Sequence, residues 1–383
     1  MGRIRSGFAC CRRSSHAQGY RPSQAIWHSA EYVPQQWKVP VMRQAIELAA
    51  RAAVWTRHWA QGDLHSLPTT YPGNYGGELG RLWTETMATL PSGSSCLDVA
   101  TGNGALLRLL LVANQDVSTT CVGVDLADLQ PPWLHQLTPV DRMRVRLVPR
   151  TSIDSMPFQE AAFDHIFSQF GIEYAPAESG VPEIVRVLRI GGALTLVIHH
   201  ESSVIVQGAA AECGHIDWLL MEGGLLDTAR QMTLPMSLAG SEAGRAQLSK
   251  SPHFEAVRQQ FDRLQTAAED RVRDLHCPDV LGEADHSCAL AFRRAAGGDL
   301  VGADALLAQY ASHLQDARLR LAHLQQAAAS EARIGQLLNI FASQGVDAST
   351  HQIRDQGRLM AWLVTGRKRE PKGSRFVRPV AHS

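Results

Sequence analysis

The sequence has no excess of charge of either sign, because its 37 Lys and Arg residues match its 37 Asp and Glu residues. A balanced chain has no long-range positive field to gather phosphates, which argues against a nucleic-acid partner. No apolar run reaches the roughly 20 residues that cross a bilayer, so no membrane span is predicted. The seven cysteines include no C-x-x-C pair, which excludes a disulfide framework and favours a reducing, cytoplasmic location.

The sequence also lacks paired metal ligands. His276, Cys277, His286 and Cys288 lie near one another, but their uneven spacing differs from the paired ligands of zinc sites. We therefore expect a solvated helical connection there and no metal. The composition, 45% hydrophobic and 19% charged over 383 residues, is that of a globular protein with one large domain and an addition, or with two modest domains.

Short apolar runs alternate with helical stretches between Ser94 and Ile198, which is typical of βαβ units and a parallel sheet with helices on both faces. After His200 the helical period continues until two closing strands, expected at 350–355 and 359–366. The sequence thus predicts an α/β fold with a doubly wound, mostly parallel seven-stranded sheet. It further predicts a helical insertion between the fifth and sixth strands.

The sequence predicts where two of the helices begin or end. One should open at Met42 and run to Gln61, because this stretch is rich in helix formers and its apolar residues recur near helical spacing. The other covers EIVRVL at 183–188 and should close at Gly191 and Gly192 before the next strand.

The segment LDVATGNGALLRLL at 97–110 is the strongest functional motif. An apolar strand ends in Asp98, turns through small residues and enters a helix. Gly102 and Gly104 predict a close backbone approach to a ligand, because a Cβ there would fill the space that the ligand needs. A dinucleotide fingerprint would place a third glycine where Leu107 stands, so phosphate binding is the weaker interpretation.

A second acid, Asp125, follows the next apolar strand, TCVGVD, 21 residues beyond Gly104. An acid at the carboxyl end of a second strand can accept hydrogen bonds from both hydroxyls of a ribose. Asp98 could instead cap the following turn, and Asp125 could be an ordinary loop residue. Their paired placement favours a nucleoside site.

The ordered series LDVATGNG, VGVD, SMPFQEAAFDHIFSQFGIEY and VRVLRIGGALTLVI resembles class I S-adenosylmethionine-dependent methyltransferases. The resemblance covers residues 75 to 200 and implies a Rossmann-like fold with S-adenosyl-L-methionine as cofactor. It implies that Asp98 binds toward the methionine amino group and that Asp125 binds the ribose. The cofactor-binding residues that it implies are Asp98, Ala100, Gly102, Asn103, Gly104, Asp125, Leu126, Ser152, Ile153, Asp154, Ser168, Gln169 and Phe170.

Two of these positions, Ala100 and Ser152, depart from the family pattern. Ala100 stands where the family has the first glycine of the loop. Ser152 stands at the position where the family usually has an acid that binds adenine, and Asp154 follows two residues later. The backbone at Ile153 is therefore expected to contribute to adenine recognition. The resemblance places Ser168 to Phe170 beside the sulfonium methyl.

The sequence predicts six regions in the chain. They are a disordered tail at 1–41, N-terminal lid helices at 42–92, a cofactor-binding core at 93–200, the helical insertion at 201–330, the last helix and closing strands at 331–368, and a disordered tail at 369–383. Residues 1–24 are basic and free of acids, which is also typical of an organellar targeting segment.

The acceptor needs a base only if its nucleophile carries a proton. His199 is the candidate for that role and His200 the alternative, since both follow the fifth strand at its carboxyl end; either could instead cap the strand. Tyr71 and Tyr75 could close over the cofactor, or their rings could only pack within the protein.

We expect methyl transfer to a small organic molecule. Alternatives are a nucleic-acid or protein methyltransferase and a non-catalytic cofactor-binding protein, and a homo-oligomer is left open.

Overall fold

A computed structural model describes residues 35–67, 70–274 and 279–370. The chain divides into two compact units, residues 1–47 and 48–383. Of the first unit only 35–47 is described, as the beginning of helix α1 (Gln35–Trp59), which starts seven residues before the predicted Met42. The rest of the predicted N-terminal tail, and the tail from residue 371 onward, lie outside the described residues.

Seven strands form one sheet: β1 (Ser95–Val99), β2 (Thr120–Val124), β3 (Val145–Val148), β4 (Phe163–Gln169), β5 (Leu188–His199), β6 (Val346–Asp355) and β7 (Arg358–Lys368). Their spatial order is β3-β2-β1-β4-β5-β7-β6. The neighbours from β3 to β5 are parallel, whereas β7 is antiparallel to both β5 and β6. The α/β class and the seven strands are confirmed, and the sheet is mixed.

The helices of the core are α2 (Gly77–Ala88), α3 (Ala105–Ala113), α4 (Pro139–Arg144), α5 (Ala177–Val187) and α12 (Glu331–Ser343). One apolar cluster joins the sheet to α5 and α12, and another joins it to α2 and α3. Both faces of the sheet are therefore covered, as buried parallel strands require.

Six further helices follow β5 in the described residues. They are α6 (Val204–Leu220), α7 (Leu225–Ala239), α8 (Glu242–Leu248), α9 (Pro252–Asp274), α10 (Asp279–Ala296) and α11 (Leu300–Ala327). Five of them contribute to an apolar cluster separate from the two clusters of the sheet. Side-chain caps define several of their starts; for example, Ser203 accepts a hydrogen bond from the backbone N–H of Val206 at the start of α6.

The predicted boundary between α5 and β5 is wrong. The helix ends at Val187, and β5 begins at Leu188, which pairs with Phe163 of β4. The pairing shifts register before Ala193, and Gly191 adopts a positive φ of 76° inside this irregularity. The two glycines thus permit a bulge within a strand and do not close a helix.

The strands β1, β4 and β5 are parallel and end at Val99, Gln169 and His199 on one edge of the sheet. From β1 the chain first builds outward through β2 and β3, and then continues on the other side of β1 with β4. The ends of β1 and β4 therefore form a topological switch point, where open α/β sheets bind their ligands.

Candidate functional site

Asp98 lies at the switch point near the end of β1 and is 1% exposed. Its Oδ2 accepts a hydrogen bond from the Thr101 hydroxyl at 2.6 Å, whereas its buried Oδ1 has no partner among the described residues. Burial raises the pKa of Asp98 to about 8; the Thr101 hydrogen bond opposes this rise and the charge of Asp125 adds to it. An orphaned buried carboxylate oxygen fits a site that receives a cationic or donor group from a ligand.

Asp125 follows β2 directly and is also buried. Its Oδ2 accepts from the backbone N–H of Gly102 at 2.9 Å, and its Oδ1 accepts from that of Ala127 at 2.8 Å. Burial raises the pKa of Asp125 to about 6, against the lowering effect of these two backbone N–H groups. Each oxygen keeps a further lone pair, so the carboxylate can still accept two hydroxyl groups.

The atoms that exclude a side chain at Gly102 and Gly104 differ from those that the sequence suggested. Gly102 and Gly104 have φ angles of 53° and 81°, which side chains rarely adopt. A Cβ at Gly102 would lie 2.6 Å from the Trp59 indole, and one at Gly104 would lie 2.7 Å from the Trp133 indole. Indole rings, and not open ligand space, therefore meet the missing side chains.

The end of α1 lies over this loop. The Asn103 amide donates to the carbonyl oxygens of Trp59 at 2.8 Å and of Asp63 at 2.7 Å. Trp133 Nε1 donates to the Asn103 carbonyl at 2.7 Å, and the Trp59 ring stacks on Trp55 at 5.7 Å between centroids. Asn103 thus links the glycine loop to α1 and to the short 3-10 helix Pro132–Gln136.

The end of β4 adjoins the glycine loop. Ser168 donates from its hydroxyl to the Val99 carbonyl at 2.9 Å, and a Cβ at Gly171 would lie only 2.4 Å from that of Ala100. Ala100 itself has a φ of 56°. Gln169 accepts a hydrogen bond from Trp83 Nε1, and its buried Nε2 has no partner in the described part of the chain.

The imidazole of His199 is buried at the end of β5. Its Nδ1 lies 2.8 Å from Glu173 Oε1, which also accepts from the backbone N–H of His199 at 2.9 Å. The ring stacks on Phe170 at 4.1 Å and meets the edge of Tyr174 at 6.3 Å. A carboxylate at Glu173 fixes the proton on Nδ1, so a neutral imidazole presents Nε2 as a bare acceptor, and this Nε2 is buried and unpartnered among the described residues.

His200 has a different environment. Its ring stacks on Trp362 at 4.3 Å, and its Nδ1 accepts from the backbone N–H of Ser202 at 3.0 Å. These contacts match the strand-capping alternative for His200.

The remaining predicted cofactor residues lie around Asp125. Thr151 donates from its backbone to the Asp125 carbonyl at 2.8 Å, which brings the segment Ser152–Asp154 next to β2. Leu126 is half-buried, Ile153 packs against the sheet core, and the side chain of Asp154 is exposed. Nothing in these contacts fixes the adenine-binding role of the segment, which stays a prediction.

Both predicted lid tyrosines, Tyr71 and Tyr75, are buried. The ring of His65 stacks on Tyr75 at 4.4 Å between centroids. Burial raises the pKa of Tyr75 well above its usual value, and the charge of Asp98 adds to that effect. Tyr75 belongs to the same apolar cluster as Cys96 of β1.

No group of three metal-ligating side chains occurs in the residues that the structure describes. Of the four residues considered for zinc, His276 and Cys277 lie outside the described residues, and Cys288 is buried in the apolar cluster of the helices. Within the same ranges, no helix is long and apolar enough to span a bilayer.

Sequence reasoning missed Thr101, Trp59, Trp133 and Glu173. The first follows Asp98 by three residues, a spacing at which a hydroxyl and a carboxylate often meet in a turn. Glu173 lies 26 residues before His199, and only the parallel pairing of β4 with β5 brings them together.

Residues 97–196 match the protein family described as a methyltransferase domain. No curated relative matches the sequence. Among solved structures, an S-adenosylmethionine-dependent methyltransferase from Aquifex aeolicus is 17% identical, covering 32% of this chain and 65% of its own, with a TM-score of 0.28. Geranyl diphosphate C-methyltransferase from Streptomyces coelicolor is 15% identical, covering 39% of this chain and 64% of its own, with a TM-score of 0.29.

The chain thus spans slightly less than two thirds of the length of each of these structures. The matched residues run from the middle of β1 into β5 and include the glycine loop, Asp125 and the end of β4. Residues 97–196 are therefore similar in sequence to a methyltransferase domain.

Proposed function

We propose that the protein transfers the methyl group of S-adenosyl-L-methionine to a small organic acceptor. The observation that carries this proposal is the buried, unpartnered Oδ1 of Asp98 at the switch point, beside the glycine loop and Asp125. A buried carboxyl oxygen without a hydrogen-bond partner is costly, and the cofactor's ammonium group would supply that partner.

The residues around the switch point fit the whole cofactor. Asp98 binds the methionine amine, and Asp125 accepts the ribose hydroxyls with the lone pairs that its two backbone partners leave free. The other residues of the proposed cofactor site are Ala100, Gly102, Asn103, Gly104, Leu126, Ser152, Ile153, Asp154, Ser168, Gln169 and Phe170. A sulfonium cofactor supplies an activated methyl group, so the protein has mainly to align the acceptor behind it.

His199 is the proposed base for an acceptor whose nucleophile carries a proton. Its bare Nε2 can take that proton, and Glu173 on Nδ1 stabilises the imidazolium that forms. The rings of Phe170 and Tyr174 hold the imidazole in place and exclude water from it. Glu173 acts as a positioning residue because it holds the tautomer and orientation of His199.

The helices α6–α11 are proposed as an insertion into the methyltransferase fold, between β5 and β6, that forms the wall of the acceptor site. They leave the sheet at the carboxyl end of β5, next to His199. With this assignment the four regions expected between residues 42 and 368 stay as proposed, with α1 starting earlier, at Gln35.

A nucleic-acid or protein substrate is the second candidate. Against it, the segment at the end of β4 reads SQFG at 168–171 and lacks the Asn/Asp-Pro-Pro-aromatic series of enzymes that methylate amino groups of nucleic acids. The net charge is also zero. The third candidate is a non-catalytic cofactor-binding protein. Such a protein would not need the buried His199–Glu173 pair, which has the arrangement of a general base and its positioning carboxylate.

The test uses cofactor with a labelled methyl group. Incubation with a cell extract, followed by separation into small-molecule, nucleic-acid and protein fractions, should place the label in the small-molecule fraction. His199→Asn should lower the transfer rate roughly 100-fold or more while the affinity for S-adenosylhomocysteine is kept, because general bases contribute about that much. Glu173→Gln should lower the rate by at least about tenfold with an unchanged KM for the cofactor.

The matched control is His253→Asn, at an exposed histidine on α9, which should change neither quantity. Label in the nucleic-acid or protein fraction would replace the small-molecule proposal with the second candidate. Binding without any transfer would support the third. Binding of NAD in place of S-adenosylhomocysteine would overturn the cofactor assignment.

A further inference from the structure

A group of cationic and imidazole side chains lies between α1, the short 3-10 helix Ile172–Tyr174 and α11. Each has buried nitrogen atoms without a hydrogen-bond partner in the described part of the chain: Nε of Arg51, both ring nitrogens of His58, Nη1 of Arg320 and Nδ1 of His323. Buried polar atoms are nearly always paired in folded proteins, so four such residues together indicate a missing partner.

Contacts through Tyr174 and Trp55 connect Arg51 and His58 to the surroundings of His199. The charge of Arg320 acts on His58 and the charge of Arg51 acts on His323, so the four side chains are neighbours. Arg51 donates from Nη1 to the Tyr174 carbonyl at 2.7 Å, and the Tyr174 ring meets His199 at 6.3 Å. Trp55 contacts Tyr174 at 5.9 Å and His58 at 5.6 Å between ring centroids. Tyr174 thus lies between Arg51 and the imidazole of the proposed base.

Neighbouring acids act on the positive charge of Arg320, but its buried Nη1 has no hydrogen-bond partner in the described residues. Burial lowers the pKa of Arg320 even though Asp316, Glu212 and Asp63 each act to raise it. Asp316 is already held by Arg57 through two hydrogen bonds of 2.6 and 2.7 Å. Burial, with the charges of Asp279 and Glu283, raises the pKa of Glu212.

His58 is likewise buried, with no hydrogen-bond partner for either ring nitrogen in the described residues. It is 6% exposed, and burial lowers its pKa to about 3, with further lowering by the charges of Arg320 and His313. A neutral imidazole in this position offers one N–H donor and adds no competing charge. An anion would thus find the unpartnered Nη1 of Arg320, the unpartnered Nε of Arg51, and imidazole donors around them.

We propose, building on the methyltransferase function above, that the acceptor carries a carboxylate or phosphate group that binds Arg320 and Arg51, with His58 and His323 as further donors. This places the anionic end of the acceptor at α11 and its nucleophile toward His199. Arginine suits such a role because its planar fork binds carboxylates and phosphates in a bidentate manner.

The test uses protein saturated with S-adenosylhomocysteine and three probes: inorganic phosphate, benzoate and its neutral isostere benzamide. Calorimetry should show that benzoate and phosphate bind and that benzamide binds at least about tenfold more weakly than benzoate, as expected for loss of a charge-assisted contact. Arg320→Gln should weaken benzoate about tenfold or more, and Arg320→Lys should weaken it less.

The control is Arg318→Gln on the same helix, at a partly exposed side chain that pairs with Asp217 at 2.8 Å. It should leave benzoate binding unchanged. Folding of Arg320→Gln is checked by its melting temperature, which should be no lower than that of the wild type because the substitution removes an unpaired buried charge. S-adenosylhomocysteine affinity should also be unchanged.

The outcomes separate the two proposals. If the wild type binds S-adenosylhomocysteine but shows no preference for benzoate over benzamide and no phosphate binding, the anion site is wrong and the methyltransferase function stands. Equal loss of benzoate binding in Arg318→Gln and Arg320→Gln also overturns the site. If S-adenosylhomocysteine itself does not bind, the methyltransferase proposal fails first, and the acceptor site falls with it.

Discussion

Binding of S-adenosylhomocysteine should release a proton from Asp98. Burial raises the pKa of this carboxyl to about 8 in the ligand-free protein, so only about one tenth of it is ionised at pH 7. The ammonium group of the ligand needs the ionised form. Affinity should therefore rise with pH, by roughly eightfold between pH 6.5 and 7.5, the factor by which the ionised fraction grows.

The stability of the ligand-free protein should change with pH in the opposite direction to the ligand affinity. A carboxyl with a raised folded-state pKa takes up a proton on folding between its unfolded pKa and about 8. The free energy of unfolding contributed by Asp98 therefore falls as pH rises through that range. Ligand binding and ligand-free stability should change in opposite directions over the same pH interval, which distinguishes this carboxyl from an ordinary paired one.

Titration calorimetry with S-adenosylhomocysteine at pH 6.5, 7.0 and 7.5, in two buffers of different ionisation enthalpy, measures both the affinity and the protons released. Asp98→Asn keeps the shape of the side chain and should bind more weakly, with only the small pH dependence that the pKa of Asp125, about 6, leaves between pH 6.5 and 7.5. Asp154→Asn, at an exposed carboxyl near the same site, should retain the wild-type slope. An affinity of the wild type that does not change with pH, or the same slope in Asp98→Asn, would refute the reasoning.

Two further substitutions test the loop around the cofactor. Asp125→Ala should weaken S-adenosylhomocysteine binding by about 1.5 to 3 kcal/mol, roughly tenfold to a hundredfold by calorimetry, while Asp154→Ala should change it less; equal effects would contradict the ribose contact. Gly102→Ala should lower the free energy of unfolding in urea by about 1–3 kcal/mol more than Gly191→Ala, because both glycines have positive φ but only a Cβ at Gly102 meets another side chain. Similar losses in the two variants would show that φ alone accounts for the effect.

The motif around Asp98 could be predicted because its information is local. An apolar strand, an acid, small residues and a helix follow one another within a few positions, and β1 and α3 form where this pattern requires them. Asp125 is equally local, since it comes directly after β2. Parallel pairing of β1 with β2 then brings the two acids to the same edge, as a βαβ unit dictates.

The start of β5 and the surroundings of the glycine loop could not be predicted, because they depend on tertiary contacts. Leu188 belongs to a strand because it pairs with Phe163 across a bulge, which outweighs the helix-stop signal of two glycines. The indole that covers Gly102 comes from α1, more than 40 residues earlier in the chain. Helical periodicity shows which face of α1 is apolar but not which loop that face will contact.

The spacing of the sheet relates the proposed cofactor and acceptor groups to each other. Asp98 lies on β1 and His199 on β5, and β4 is the single strand between them. Neighbouring strands are about 4.8 Å apart, so the two backbones are separated by about 10 Å across the end of β4. A cofactor whose amine binds Asp98 must therefore present its methyl group near Ser168–Phe170 if the acceptor is to be deprotonated by His199. Phe170, which stacks on that imidazole, has its backbone N–H bonded to Val197 of β5, so the distance between the base and the end of β4 is fixed by the sheet itself.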